Sequence, residues 1–211
     1  TDIPTNIIQY LQVISLLKEE EPDINLLSEN IERDISLTYK ILQRINNSNK
    51  RSKSKVRSIK QAVLLLGLTE LRKWMYLLAM REGQMDQEND SKKEIILSSL
   101  FRAKVCEKLA RYNNEENFSE YFLVGLFSLI DALLERPLWT ILKKLPFSEE
   151  IVETLSGTRT TMQPYLKLSI AMNKAEWESV ESLAKELKIP IEIIMKYHAD
   201  ANDWVKDSFD W

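Results

Sequence analysis

Apolar positions recur at three- and four-residue spacing along almost the whole chain, the period of an amphipathic helix. Ile7, Ile8, Leu11, Ile14 and Leu17 follow Thr5, whose hydroxyl suits a helix cap. Pro22 and Asp23 open a second helix with Leu26, Leu27 and Ile31 inward. Asp34 and Ser36 offer caps for a third, carrying Leu37, Ile41, Leu42 and Ile45 on one face. It stops at Asn46, Asn47, Ser48 and Asn49, short polar residues that compete for their own backbone. Ser58 to Gln61 forms a capping box that starts a helix with Ile59, Ala62, Val63 and Leu66 inside and Gly67 as its stop. Thr69 restarts the chain, with Leu71, Trp74, Met75 and Leu78 inward.

The stretch GQMDQEND, residues 83–90, reads as a loop. Ser91 to Glu94 is a second capping box, opening a long helix through Ile96, Leu100, Ala103 and Leu109. Tyr121 to Leu134 is apolar nearly all round, the pattern of one helix at the centre of a bundle. Pro137 suits a first turn, and Ser148 caps a helix ending at Gly157. Further helices are expected at Pro164–Asn173, Trp177–Leu187 and Ile191–Trp204. No segment alternates apolar and polar long enough for a strand. The reading is all-α, a bundle of about eleven helices without internal repeats.

Composition agrees with the pattern and narrows the chemistry. Only 4 of 211 residues are glycine, where average usage would give roughly 15. Little material is left for phosphate loops or hairpin turns. The 29 Lys and Arg against 32 Asp and Glu give a net charge of −3, so no global positive field favours nucleic acid or acidic lipid. A single cysteine, Cys106, excludes an intrachain disulfide and a multi-cysteine metal site. A single histidine, His198, excludes multi-histidine chemistry. No apolar run approaches the ~20 residues of a membrane span. No basic-then-apolar leader opens the chain, which reads as cytoplasmic.

Candidate residues are few. His198 lies near Asp200 and Asp203, and one imidazole beside two acids reads as a surface or half-buried histidine rather than a metal ligand. Cys106 reads as a buried structural thiol. Lys50, Arg51, Lys53, Lys55, Arg57 and Lys60 crowd one stretch. It is a solvated loop or, functionally, an anion contact, and no aromatic is interleaved for base stacking. The acidic run Lys18–Asp23 lacks calcium-loop spacing and reads as a surface turn. Of the 5 tryptophans most are expected in packing, with Trp204 and Trp211 the candidate partner anchors. Ser128 and Asp131 interrupt the most apolar helix, where a carboxylate must find donors.

The order of these motifs resembles the HDOD domain. IERDISLTYKILQRINNS followed by VRSIKQAVLLLG carries the resemblance through Asp34, Leu37, Leu42, Asn47, Ser48, Ser58, Ile59, Ala62, Leu66 and Gly67. Leu71–Trp74, Phe101–Ala110, Gly125–Leu134, Leu145–Pro146, Trp177 and the closing Tyr197, Ala201 and Trp204 continue it. The series is similar to the C-terminal half of YuxH-like bacterial signalling proteins that join an EAL domain to an HDOD domain. A helical lobe over about 1–82, the loop 83–90 and an HD-like core over about 91–211 then make one HDOD domain, with no EAL motif in these residues.

HDOD domains resemble HD-type metal-dependent phosphohydrolases, whose site uses a His, a His-Asp pair and a further Asp. The resemblance puts the first histidine position on Ser98 and the pair on Ser128 and Leu129. Asp131 lies two residues further on, which in a continuous helix turns it by ~200°. What the resemblance implies is a degenerate site without metal or cofactor, in a non-catalytic signalling module linked to cyclic-di-GMP. Its expected partners are proteins, including an EAL domain of the same full-length chain, with neither membrane nor nucleic acid. Contact residues are expected at Ser98, Arg102, Ser128, Asp131 and the basic stretch. The rival readings are a divergent metal-dependent phosphohydrolase and a nucleic-acid-binding regulator using residues 50–60.

Overall fold

The structure, a computed structural model, describes residues 5–32, 41, 59–82, 90–143 and 147–209. Among them every regular element is a helix. The chain divides into two compact units, Thr1–Met85 and Asp86–Trp211.

The first unit contains α1 (Thr5–Leu16), α2 (Ile24–Glu32), α3 (Ile59–Leu66) and α4 (Leu68–Glu82). α1 packs on α4 and α2 on α3. Tyr10, Val13 and Ile14 meet a core that also holds Leu71, Trp74, Met75 and Leu78. Asp23 caps α2: its Oδ1 accepts from the N–H groups of Asn25 at 2.9 Å and Leu26 at 3.2 Å, using donors that have no partner within the helix. Gly67 stops α3 with φ +82° while its N–H donates to the Val63 carbonyl at 3.0 Å. A Cβ there would meet nothing within 4 Å, so the requirement for glycine is conformational. Leu66 is only half-buried, a departure from its expected inward place, and Leu64 and Leu65 are exposed. The short α3 turns Ala62 and Val63 inward, which leaves the following two leucines on its outer face. Of the expected third helix only Ile41, buried, is described. Asn47, Ser48, Ser58, the basic residues Lys50 to Arg57 and loop residues 83–89 lie outside the described residues.

The second unit is organised around α5 (Asp90–Tyr112), which starts one residue before Ser91. α6 (Phe118–Phe127), α10 (Gln163–Asn173) and α12 (Ile191–Phe209) pack directly against it. α7 (Ile130–Leu134) and α8 (Leu138–Leu142) follow α6, α9 (Glu149–Leu155) leans on α6, and α11 (Trp177–Glu186) joins α10 to α12. α5 and α12 run in opposite directions, since Tyr112 meets Tyr197 while Lys104 lies over Trp204.

α5 and α6 approach each other closely at Gly125. A Cβ built on Gly125 would stand 2.5 Å from the backbone of Arg102 and Ala103, a distance no real Cβ occupies. Gly125 is therefore the residue that lets the two backbones touch. The expected single helix from Tyr121 to Leu134 is two helices. Ser128 turns its hydroxyl back to the Gly125 carbonyl at 2.7 Å, diverting a helix acceptor, and α6 ends at Phe127. Every residue from Tyr121 to Phe127 is buried, as an apolar-all-round helix requires. Asp131, beyond the break, is exposed and needs no buried donors.

Two tryptophans differ from expectation. Trp204 is half-buried against Phe122, with the Lys104 ammonium 5.1 Å from its ring, so it is internal packing rather than a free anchor. Trp139 is exposed, at 61%, with the Lys143 ammonium 4.6 Å from its ring. Ser148 sits at the N-cap of α9 but its hydroxyl makes no capping bond.

Gly125→Ala is expected to destabilise the protein by about 3 kcal/mol or more, because neither backbone can retreat. Gly67→Ala is expected to cost about 1 kcal/mol, the dihedral penalty alone. Urea unfolding of the two variants checks both size and order.

Candidate functional site

α5 carries Ser98 and, one turn on, Arg102. The contact made possible by Gly125 brings the end of α6 against that turn. Arg102 is 6% exposed. Its Nε donates to Asn173 Oδ1 at 3.0 Å and one terminal nitrogen donates to Ser128 Oγ at 3.3 Å. No carboxylate pairs with it among the described residues. Burial pulls its pKa down from the usual arginine value, opposed by the neighbouring Cys106. A guanidinium stays charged inside a protein, so this is a fixed cation held by a hydroxyl and an amide. Buried positive charge of this kind costs stability unless it is hydrogen-bonded, which gives Ser128 and Asn173 their structural task.

Cys106 sits one turn beyond Arg102, fully buried, with its thiol 3.7 Å from the Tyr165 carbonyl. Burial pushes the thiol up to about 12, while the nearby Ser169 hydroxyl and the Arg102 charge pull it back. That direction is opposite to the one that activates a nucleophile. A separate network ties the end of α5 to α10. Tyr165 donates to Glu115 at 2.6 Å and accepts from Asn113 at 2.9 Å, and Asn113 also donates to the Leu187 carbonyl. Burial pushes the Tyr165 phenol up to about 12.

Beside Arg102 a cleft of about 360 Å³ opens between α5, α10 and α12. Its polar wall is Glu94, Ser98, Asn173, His198, Asn202 and Lys206. Leu97, Phe101 and Val205 supply the apolar part. His198 is half-buried, edge-on to Phe101 at 5.3 Å and tilted against Trp177 at 5.7 Å. Asn202 Nδ2 lies 3.3 Å from His198 Nδ1. The same Asn202 nitrogen donates to the His198 carbonyl at 3.1 Å.

The structure therefore gathers Ser98, Arg102 and Ser128 into one neighbourhood. It leaves Asp131 on the surface, and Leu129 half-buried in the turn after α6. Asn173, 71 residues from Arg102 in sequence, completes the cluster. Its sequence signal was weak: one polar residue closing the otherwise apolar IAMN end of α10. Among the described residues no group of three His, Cys, Asp or Glu could hold a metal ion. The donors at the cluster are neutral hydroxyls and an amide around a cation, a set that does not fit a transition metal. Lys60, the described end of the basic stretch, is exposed on α3. No helix among the described residues is long and apolar enough to cross a membrane.

Comparison with known proteins adds the lineage. The sequence profile of the HDOD domain matches residues 3–134. YuxH of Bacillus subtilis, an uncharacterized protein, is 37% identical over 186 residues, covering 88% of this chain and 45% of its own. CdgJ of Vibrio cholerae, named a cyclic di-GMP phosphodiesterase, is 27% identical over 198 residues, 93% of this chain and 45% of its own. The chain thus spans about half the length of the curated relatives it matches. Two Shewanella amazonensis crystal structures share the fold. One, provisionally named a phosphohydrolase, superposes with a TM-score of 0.63 at 16% identity, covering 97% of this chain and 84% of the other. The second, provisionally named a metal-dependent phosphohydrolase, gives 0.62 at 17% identity, covering 99% and 93%. The fold is an all-α bundle, the one these two structures share.

The Cys106 environment has a measurable consequence. The folded chain keeps the thiol proton up to about 12, whereas an unfolded cysteine releases it near about 8.5. Between those values the unfolded chain binds fewer protons, so stability falls as pH rises, by up to about 1.4 kcal/mol per unit. Urea titrations from about pH 8.5 to 10.5 should show a steeper loss for the native chain than for Cys106→Ala.

Proposed function

The chain belongs to the HDOD domain family, and on that premise we propose that it is a non-catalytic regulatory module of cyclic-di-GMP signalling, exchanging contacts with protein partners. The carrying observation is the Arg102 guanidinium, tied to Ser128 and Asn173 at the place where the HD-type resemblance puts a metal ion. A fixed monovalent cation there stands in for the divalent one. It keeps the helices together by hydrogen bonds while offering no open coordination position and no activated water. A dication about 4 Å from it would be repelled by roughly 8 kcal/mol at an effective dielectric of 20. Serine at positions 98 and 128 supplies neither imidazole nor carboxylate to offset that repulsion.

The link to cyclic-di-GMP rests on the relative named for its hydrolysis, and the module's place beside an EAL domain on the family resemblance. In this reading the EAL domain fills part of the relatives' length that this chain does not span. The cyclic dinucleotide then meets the EAL partner, in the cytoplasm, and the present chain transmits or receives its state. No metal or organic cofactor takes part in the module itself.

Metal analysis of the purified chain by mass spectrometry, paired with a phosphodiesterase screen under added Mn, Fe or Zn, tests the reading. Sub-stoichiometric metal and no turnover are expected. Stoichiometric metal with turnover that is lost on chelation would overturn it in favour of a divergent phosphohydrolase.

A further inference from the structure

The cleft between α5, α10 and α12 has an unusual balance of donors. Asn173 gives its Oδ1 to Arg102, so its amide is oriented and its Nδ2 has no partner among the described residues. His198 has its Nδ1 beside Asn202 Nδ2 at 3.3 Å, and its Nε2 likewise has no partner among the described residues. The Ser98 hydroxyl and the Lys206 ammonium are also unengaged among the described residues. Behind Asn173 stands the buried Arg102 charge, without a carboxylate to neutralise it. Set against these, Glu94 is the one acid on the wall.

We propose that this cleft binds a small organic anion, its acceptor-rich head at Ser98, Asn173 and His198 and its apolar body on Leu97, Phe101 and Val205. Three arguments converge. A cleft of about 360 Å³ is of the size that takes a small ligand rather than a protein segment. Donors already oriented by hydrogen bonds lose little freedom when an anion arrives, which favours charged over neutral heads. Finally, an anion at the head position would give the Arg102 charge the counter-charge it lacks. Asn173, His198, Val205 and Lys206 all lie beyond residue 134, where the HDOD match ends. The site is thus assembled from the α5 scaffold of the family and from helices outside the matched region. Ligand binding would reach the surface through Trp177, which touches His198 and is 42% exposed.

The test uses the whole chain and benzylphosphonate, whose carbon–phosphorus bond cannot be hydrolysed as an ester. Binding is therefore read whether or not the chain turns over phosphate esters. Tryptophan fluorescence should saturate with a Kd of about 1 mM or below, and Trp177→Phe should remove most of the response. Inorganic phosphate, the head alone, and benzyl alcohol, the body alone, should each bind at least about tenfold more weakly, since head and body contribute separately. Glu94→Gln should tighten binding and Lys206→Gln weaken it, each by about threefold, as expected of charges acting through solvent. His198→Leu should weaken it about tenfold by removing the Nε2 donor. The opposite signs at two exposed positions cannot come from a general loss of structure. Absence of saturable binding, equal affinity for benzyl alcohol, or charge variants that shift Kd in the same direction would each overturn the proposal.

Discussion

The contact between α5 and α6 at Gly125 sets the geometry on which the second unit depends. With no side chain at that position, the α6 backbone comes to rest on Arg102 and Ala103, closer than any Cβ allows. Ala103 is fully buried there, and small residues on both partners make the approach possible. Because the backbones touch, the end of α6 arrives beside the middle of α5, and Ser128 falls within reach of Arg102. The same Ser128 hydroxyl accepts from Arg102 and donates to Gly125, so one side chain both ends a helix and anchors a buried charge.

That charge explains much of the local chemistry. Burying a guanidinium without a carboxylate is costly, and only hydrogen bonds to Ser128 and Asn173 make it tolerable. The Arg102 side chain lies between α5, the end of α6 and the end of α10, held by Ser128 and Asn173. Cys106, next along α5, lies in the same dry interior, which is why its thiol is held neutral. On the other side of Asn173 lies the cleft with His198 and Lys206.

Much of the fold was legible from periodicity because helix signals are local. Asp23 capped where a cap was expected, Gly67 stopped α3 with positive φ, and the boundaries of α10 to α12 fell within a few residues of their pattern. The failures have a common cause. Tyr121 to Leu134 was read as one helix because apolar periodicity does not register a serine hydroxyl turning back on its own backbone. Trp139 is exposed and Trp204 packed because burial depends on which helix passes over a face, and periodicity within one helix carries no information about its neighbour.

The sequence by itself determined the all-helical class of the fold and the family. These follow from residue identity and spacing along a single helix, where interactions reach three or four positions. Only the tertiary structure decided that Gly125 is a point of backbone contact, that Arg102 is buried, and that Asn173 holds it across 71 positions. A single sequence does not encode such distances in any local pattern. They arise when the helices pack, and with them come the fixed cation and the cleft beside it.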